Sequence, residues 1–171
     1  MSNQIDESYV RQNIPDTGDF EGSKEFLEPN NAYAQEPPNR SLALDGYLWW
    51  NNLSVSYEGG TRLLVDNQPL RASQVEFYID DLSWQYALNG PRITDPWGNG
   101  QQAPGDWFVP GMLQFGIIIF QSNSWWGRVD RGINRKAIQR PGEDILFNVN
   151  DKRGTYGDNG GSFDLYLKVL S

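Results

Sequence analysis

"SFDLYLKVL", residues 162–170, alternates: Phe163, Leu165, Leu167 and Val169 point one way, Asp164, Tyr166 and Lys168 the other. A period of two belongs to a strand with one face on a core and one in water. "FGIIIF" at 115–120 is apolar on both parities, the pattern of a central strand covered on both faces. "QVEFYIDDLSW" at 74–84 places Val75, Phe77 and Ile79 on one face but Leu82 and Trp84 on the opposite parity, which predicts a bulge or twist near Asp80-Asp81. Around these, short strand-like runs alternate with Gly, Pro and Asn turns from residue 41 onward, and no helical period persists. The expected strands are 41–48, 53–57, 61–65, 74–84, 113–120, 125–130, 144–149 and 162–170. This many short strands predict an all-β, two-sheet β-sandwich of jelly-roll type.

The chain of 171 residues fits one domain. Its net charge of -8 is unevenly placed: residues 1–39 hold eight acids and two bases (-6), residues 40–171 fourteen acids and twelve bases (-2). Residues 1–39 are polar, punctuated by Pro15, Pro29, Pro37 and Pro38, and cannot bury enough surface to offset their chain entropy. They read as an acidic arm, disordered or extended, with Phe20, Phe26, Leu27 and Tyr33 spaced like anchors for a partner. A homo-oligomer or larger assembly would form through this arm, ahead of the 40–171 body. A nearly balanced body offers no footprint for nucleic-acid phosphates, and no apolar stretch is long enough to span a membrane. The N-terminus lacks the basic start and apolar run of a secretory signal, so the expected location is cytoplasmic as synthesised, with release or display outside the cell by a signal-less route left open.

Cys and His are both absent. That removes disulfides, thiolate or imidazole metal sites and a Ser-His-Asp triad, leaving carboxylate, Lys or Tyr chemistry and hard oxygen ligands. The carboxylate pairs Asp80-Asp81 and Glu143-Asp144 invite a glycosidase reading, but adjacent strand residues point to opposite faces. "NSWWGRVDRGINRKAIQR" at 123–140 interleaves Trp125 and Trp126 with Arg128, Arg131, Arg135, Lys136 and Arg140, as a single-strand nucleic-acid binder, a solvated turn over buried Trp, or a receptor for a neighbour's acidic arm would. Between 87 and 111, "ALNGPRITDPWGNGQQAPGDWFVPG" is longer than an ordinary connection, and Trp97 and Trp107 argue that it is ordered.

One bend concentrates oxygen donors on flexible backbone: "NDKRGTYGDNGGSF", residues 150–163. Calcium takes six to eight oxygens at roughly 2.3–2.6 Å from carboxylates, amides and carbonyls. Asp151, Asp158 and Asn159 offer side-chain oxygens and Thr155 its carbonyl, while Gly154, Gly157, Gly160 and Gly161 permit left-handed backbone. The spacing is not that of an EF-hand, and an ordinary Asn159-Gly160 hairpin turn accounts for the same composition.

"VNDKRGTYGDNGGSFDLYLKV" at 149–169 resembles the C-terminal signature of the galactophilic calcium lectins of LecA type and their wider family of jelly-roll sugar-binding domains: N-D, G-T-Y-G, a D/N-N pair, then G-S-F leading into the last strand. "VPGMLQFGIIIFQ" and "NGPRITDPWGNGQQAPGDW" are similar to that family's middle strand and sugar-side loop, extending the likeness over roughly residues 84–171. The resemblance implies Ca²⁺ held by the side chains of Asp151, Asp158 and Asn159, by the carbonyl of Thr155 and by a carbonyl of the Gly-Pro loop, that of Asn89. It further implies two sugar hydroxyls completing the coordination, with Gln102 or Asp106 standing in for the family's polar sugar contacts. Trp97 and Trp107 are either rings for stacking on a pyranose or loop-anchoring core residues. The family carries Tyr where this chain has Asn89, and a His and a Gln on the loop reworked here to "GQQAPGDW". The expected function is a calcium-dependent, non-catalytic carbohydrate-binding lectin domain. The alternative is a structural or assembly subunit on the same sandwich, its arm mediating protein contacts.

Overall fold

The computed structural model describes residues 33–35, 46–121 and 125–171. Its strands are β1 (Tyr33–Gln35), β2 (Leu48–Ser54), β3 (Thr61–Val65), β4 (Gln68–Pro69), β5 (Gln74–Gln85), β6 (Arg92–Ile93), β7 (Ile117–Gln121), β8 (Trp125–Arg128), β9 (Asn134–Ala137), β10 (Leu146–Val149) and β11 (Gly160–Val169), with a 3₁₀ turn at Tyr156–Asp158 before the last. They form two sheets, one ordered β1-β3-β10-β7-β8 with β4 also on β3, the other β2-β11-β5-β6 with β9 also on β5. Only β1 and β3 pair in parallel among these strands. The sandwich expected from the strand periodicity is the fold observed.

β11 shows why. Phe163, Leu165 and Leu167 are buried, and Tyr166 and Lys168 are half-buried on the other parity. Trp49, Tyr166 and Tyr78 stand in register on β2, β11 and β5 and stack face to face, at 5.8 and 4.7 Å between ring centroids; such cross-strand pairs stabilise a sheet. Beside them, Tyr47 donates to Glu76, which holds its hydroxyl up at a pKa of about 12. Asp164 breaks the alternation. Although it takes a solvent-side position it is buried, because its carboxylate accepts from Asn52 N (2.8 Å) and Trp49 Nε1 (3.2 Å). Both neighbouring strands shift register here, β2 between Phe163 and Leu165 and β5 between Ser162 and Asp164. Asn52 and Asp81 take φ of 53° and 46°, so the bulge expected near Asp80-Asp81 is present.

β7 is buried along its whole length. On its inner side, Phe147, in register with Ile119, meets Phe77 of the opposite sheet at 5.2 Å. On its outer side, Phe120 and Trp126 pack against Phe108, at 5.6 and 5.3 Å. Phe108 belongs to the 87–111 connection, which is therefore a lid over this sheet, and the Ile117 N–H donates to Pro96 O of the same connection (2.7 Å). Gly98 permits the close approach: at φ 68°, an added Cβ would lie 2.0 Å from the Gln114 carbonyl.

Several boundaries differ from expectation. The segments 41–48 and 53–57 are replaced by one strand, β2, running through a bulge at Asn51-Asn52 in the gap between them; residues 41–45 lie outside the described residues. β4, β6 and β9 are too short to show periodicity, and β7 starts later than the expected 113. Most of the 1–39 arm, including Phe20, Phe26 and Leu27, lies outside the described residues, but Tyr33–Gln35 adds a strand to the edge of β3. The basic cluster is internally matched: Arg128 pairs with Asp130 (3.3 Å), Arg131 with Asp95, Arg135 with Glu76 (2.7 Å) and Arg140 with Glu143 (4.0 Å). No helix among the described residues is long and apolar enough to cross a membrane.

Candidate functional site

The 150–159 bend caps the end of the sandwich where β10 leaves one sheet and β11 enters the other. Asn150 fastens its base. Fully buried, its side chain accepts from Val109 N (2.8 Å) and donates to Val109 O (3.0 Å) and Leu113 O (3.1 Å), clamping the end of the lid to the bend. Tyr156 is the strut beneath: its hydroxyl donates to Val149 O (2.7 Å) and accepts from Asp151 N (3.1 Å), and burial pushes its pKa well above the usual tyrosine range. The Tyr of G-T-Y-G is thus structural.

Above this strut, Asp151 is 3% exposed and Asn159 7%. One Asp151 oxygen accepts from Lys152 N (2.7 Å), and the Asn159 amide donates to Val55 O (2.9 Å), which fixes where its carbonyl oxygen faces. The other oxygens, Asp151 Oδ2 and Asn159 Oδ1, are buried without a protein donor. Burial raises the Asp151 carboxyl above its usual range and Asp158 pushes the same way, while Lys152 N–H and the nearby Asn159 and Thr155 side chains pull it down. Val55 O takes one of the two Asn159 N–H groups, and no hydrogen bond joins the amide to Asp151 Oδ2, so its pull on Asp151 is that of a close dipole. A buried acceptor without a donor costs about 1–3 kcal/mol, more when it is charged. Two such acceptors on neighbouring side chains are the donor set a hard cation satisfies.

Thr155 donates its hydroxyl to Lys152 O (2.7 Å), and its carbonyl accepts from Asp158 N (3.2 Å), with a second lone pair remaining. Asp158 is exposed. Asn89 is exposed in the Ala87–Gly90 turn, closed by Gly90 N–H to Ala87 O (3.0 Å). That turn follows Gln85, which is in register with Gly160, so it stands beside Asn159. Among the described residues no three acidic side chains gather in a metal-holding group; the bend offers two carboxylates, one amide and carbonyls instead.

The remaining expected residues divide. Asp106 lies against the bend: its carbonyl accepts from Arg153 N (3.1 Å) and its carboxylate pairs with Lys152 (3.2 Å). Gln102 is exposed and paired with Leu113, whose carbonyl takes the Asn150 amide. The two tryptophans do not present faces for stacking. Trp97 is 2% exposed with its indole N–H on Asp130 (3.1 Å), and Trp107 is 8% exposed and edge-on to Phe115 at 4.8 Å. Both anchor the lid, Trp97 beside Ile117, Ile118 and Val129 and Trp107 on Phe115, which also meets Trp84 of β5.

Sequence reasoning missed the 55–60 loop. Ser56 donates to Asn159 O (3.0 Å), Val55 O takes the Asn159 amide, and Glu58 accepts from Gly154 N (2.6 Å). These contacts span about a hundred positions of chain and leave no local signal.

The chain matches no family model and no curated protein. Among solved structures, a chain described as "EclA N-terminal domain; PllA-like lectin" is similar at 17% identity and a TM-score of 0.47, covering 72% of this chain and 98% of that one. A likeness of that degree carries no information about ligands.

Proposed function

We propose that this chain is a calcium-dependent, non-catalytic saccharide-binding module. The reading is carried by Asp151 Oδ2 and Asn159 Oδ1, two buried acceptors without protein donors in a bend built of hard oxygen ligands. Asp151, Asp158 and Asn159 would hold the ion through side chains, and Thr155 and Asn89 through carbonyls. When bound, the ion supplies charge and open coordination positions for a vicinal diol. The chain's own residues do the rest. Asp151 and Asp158 accept hydrogen bonds from sugar hydroxyls, Tyr156 and Asn150 keep the bend from collapsing, and Asp106 and Gln102 stand on its lid side. A pyranose of the galactose type is the first ligand to test.

Titration calorimetry of galactose with calcium, and again with chelator, tests the reading. Heat of binding with calcium alone supports it, provided that Asp151→Ala with Asn159→Ala removes the effect. Equal binding in chelator overturns the calcium dependence, and silence across a neutral-sugar panel with calcium bound overturns the saccharide.

A second reading, an assembly subunit, is favoured by β1, in which Tyr33–Gln35 of the expected arm pairs with β3. A change of oligomeric state on deleting residues 1–32, with no loss of sugar binding, would assign the arm to assembly.

A further inference from the structure

Burial of Trp97 and Trp107 leaves the bend without the apolar contacts expected of them, yet two large apolar residues are exposed at its edges. Leu88 is 87% exposed and Tyr57 42%. Scattered exposed apolar side chains are ordinary, but the placement of these two is not random with respect to the bend. Tyr57 lies between Ser56, bonded to Asn159 O, and Glu58, bonded to Gly154 N. Leu88 is the residue after Ala87 in the turn that follows Gln85, the partner of Gly160. They therefore continue β2 and β5, the two strands flanking β11, on either side of Asn159. Both lie in the turns that follow those strands, so the bend runs between them.

We infer that Leu88 and Tyr57 form an apolar rim on either side of the bend that selects saccharides carrying a methyl group where the common hexoses carry hydroxymethyl. The inference rests on the saccharide reading above and names the ligand class within it. A hydroxymethyl group set against Leu88 would lose hydrogen bonds to water without regaining them, whereas a methyl group would gain by burial. The Leu88 side chain has space to receive it, being the most exposed large apolar group among the described residues.

Matched pairs differing only at that carbon test this by calorimetry in calcium: D-fucose against D-galactose, quinovose against D-glucose, and D-rhamnose against D-mannose. The deoxy member of whichever pair binds should bind about three- to tenfold tighter. Leu88→Asn, at an exposed turn position that tolerates Asn, should erase the preference by lowering the affinity for the deoxy member to that for its hydroxymethyl partner; Tyr57→Ser should reduce it. Equal or tighter binding of hydroxymethyl sugars overturns the inference, as does a deoxy preference that survives both substitutions. If no pair binds although calcium still stabilises the fold, the saccharide reading itself fails and this inference falls with it, a result distinct from the other two.

Discussion

Replacing Asp151 by Asn should reverse the order of stability between calcium-free and calcium-loaded protein. Without calcium, Asp151 Oδ2 is a buried acceptor lacking a donor, and burial has already raised its carboxyl above the ordinary value of 3.8. The amide introduced at position 151 keeps the oxygen that accepts from Lys152 N and removes the buried negative charge. Removing that charge should stabilise the calcium-free fold by about 1 kcal/mol, which for a chain of this size raises Tm by roughly 2–4 °C. With calcium the sign changes. At a hundredfold excess over its Kd a native-state ligand contributes about 2.7 kcal/mol, roughly 5–10 °C, to the wild type. The variant, lacking a carboxylate ligand, should gain almost none of it. Differential scanning calorimetry of both proteins in chelator and in millimolar calcium reads the four values. If the variant is less stable in chelator and gains as much from calcium as wild type, the two oxygens are not a cation site.

The same residue sets a pH dependence. A carboxyl whose folded pKa lies above its unfolded value contributes stability below about pH 4, and that contribution is lost as pH rises through the folded pKa; chelated wild type should show this falling term and the Asp151→Asn variant should not. Calcium affinity should weaken as pH falls through the same range, because protonation competes with the ion; titrations at stepped pH will show it. Tyr156→Phe removes the hydroxyl joining Val149 O and Asp151 N, both buried, and should cost about 1–3 kcal/mol in urea unfolding and weaken calcium binding. Gly161→Ala, at φ 104° with an added Cβ 2.3 Å from the Ser83 carbonyl, should pry β11 from β5 and destabilise by about 1–3 kcal/mol, lowering the melting midpoint.

Much of the sandwich is written locally. Phe163, Leu165 and Leu167 alternate because a strand's two faces see different solvents, and "FGIIIF" is apolar throughout because both faces of β7 are covered. The parity break in "QVEFYIDDLSW" announced the bulge, since a change of face without an extra residue is geometrically closed to a strand. Asp151, Thr155, Asp158 and Asn159 were legible together because they share one short bend. The short strands β4, β6 and β9 were not, being set by their partners rather than by their own residues.

Taken alone, the sequence determined an all-β body, one oxygen-rich bend and a chain without thiol or imidazole chemistry, all properties carried by neighbouring residues or by composition. Tertiary structure alone decided that Trp97 and Trp107 are anchors, that Arg131 and Arg135 of the basic cluster face the distant carboxylates of Asp95 and Glu76, and that Val55, Ser56 and Glu58 grip the bend. The physical reason is the same in each case. Whether a ring is buried or an acceptor lacks a donor depends on which segments fold across it, and those segments lie up to about a hundred residues away.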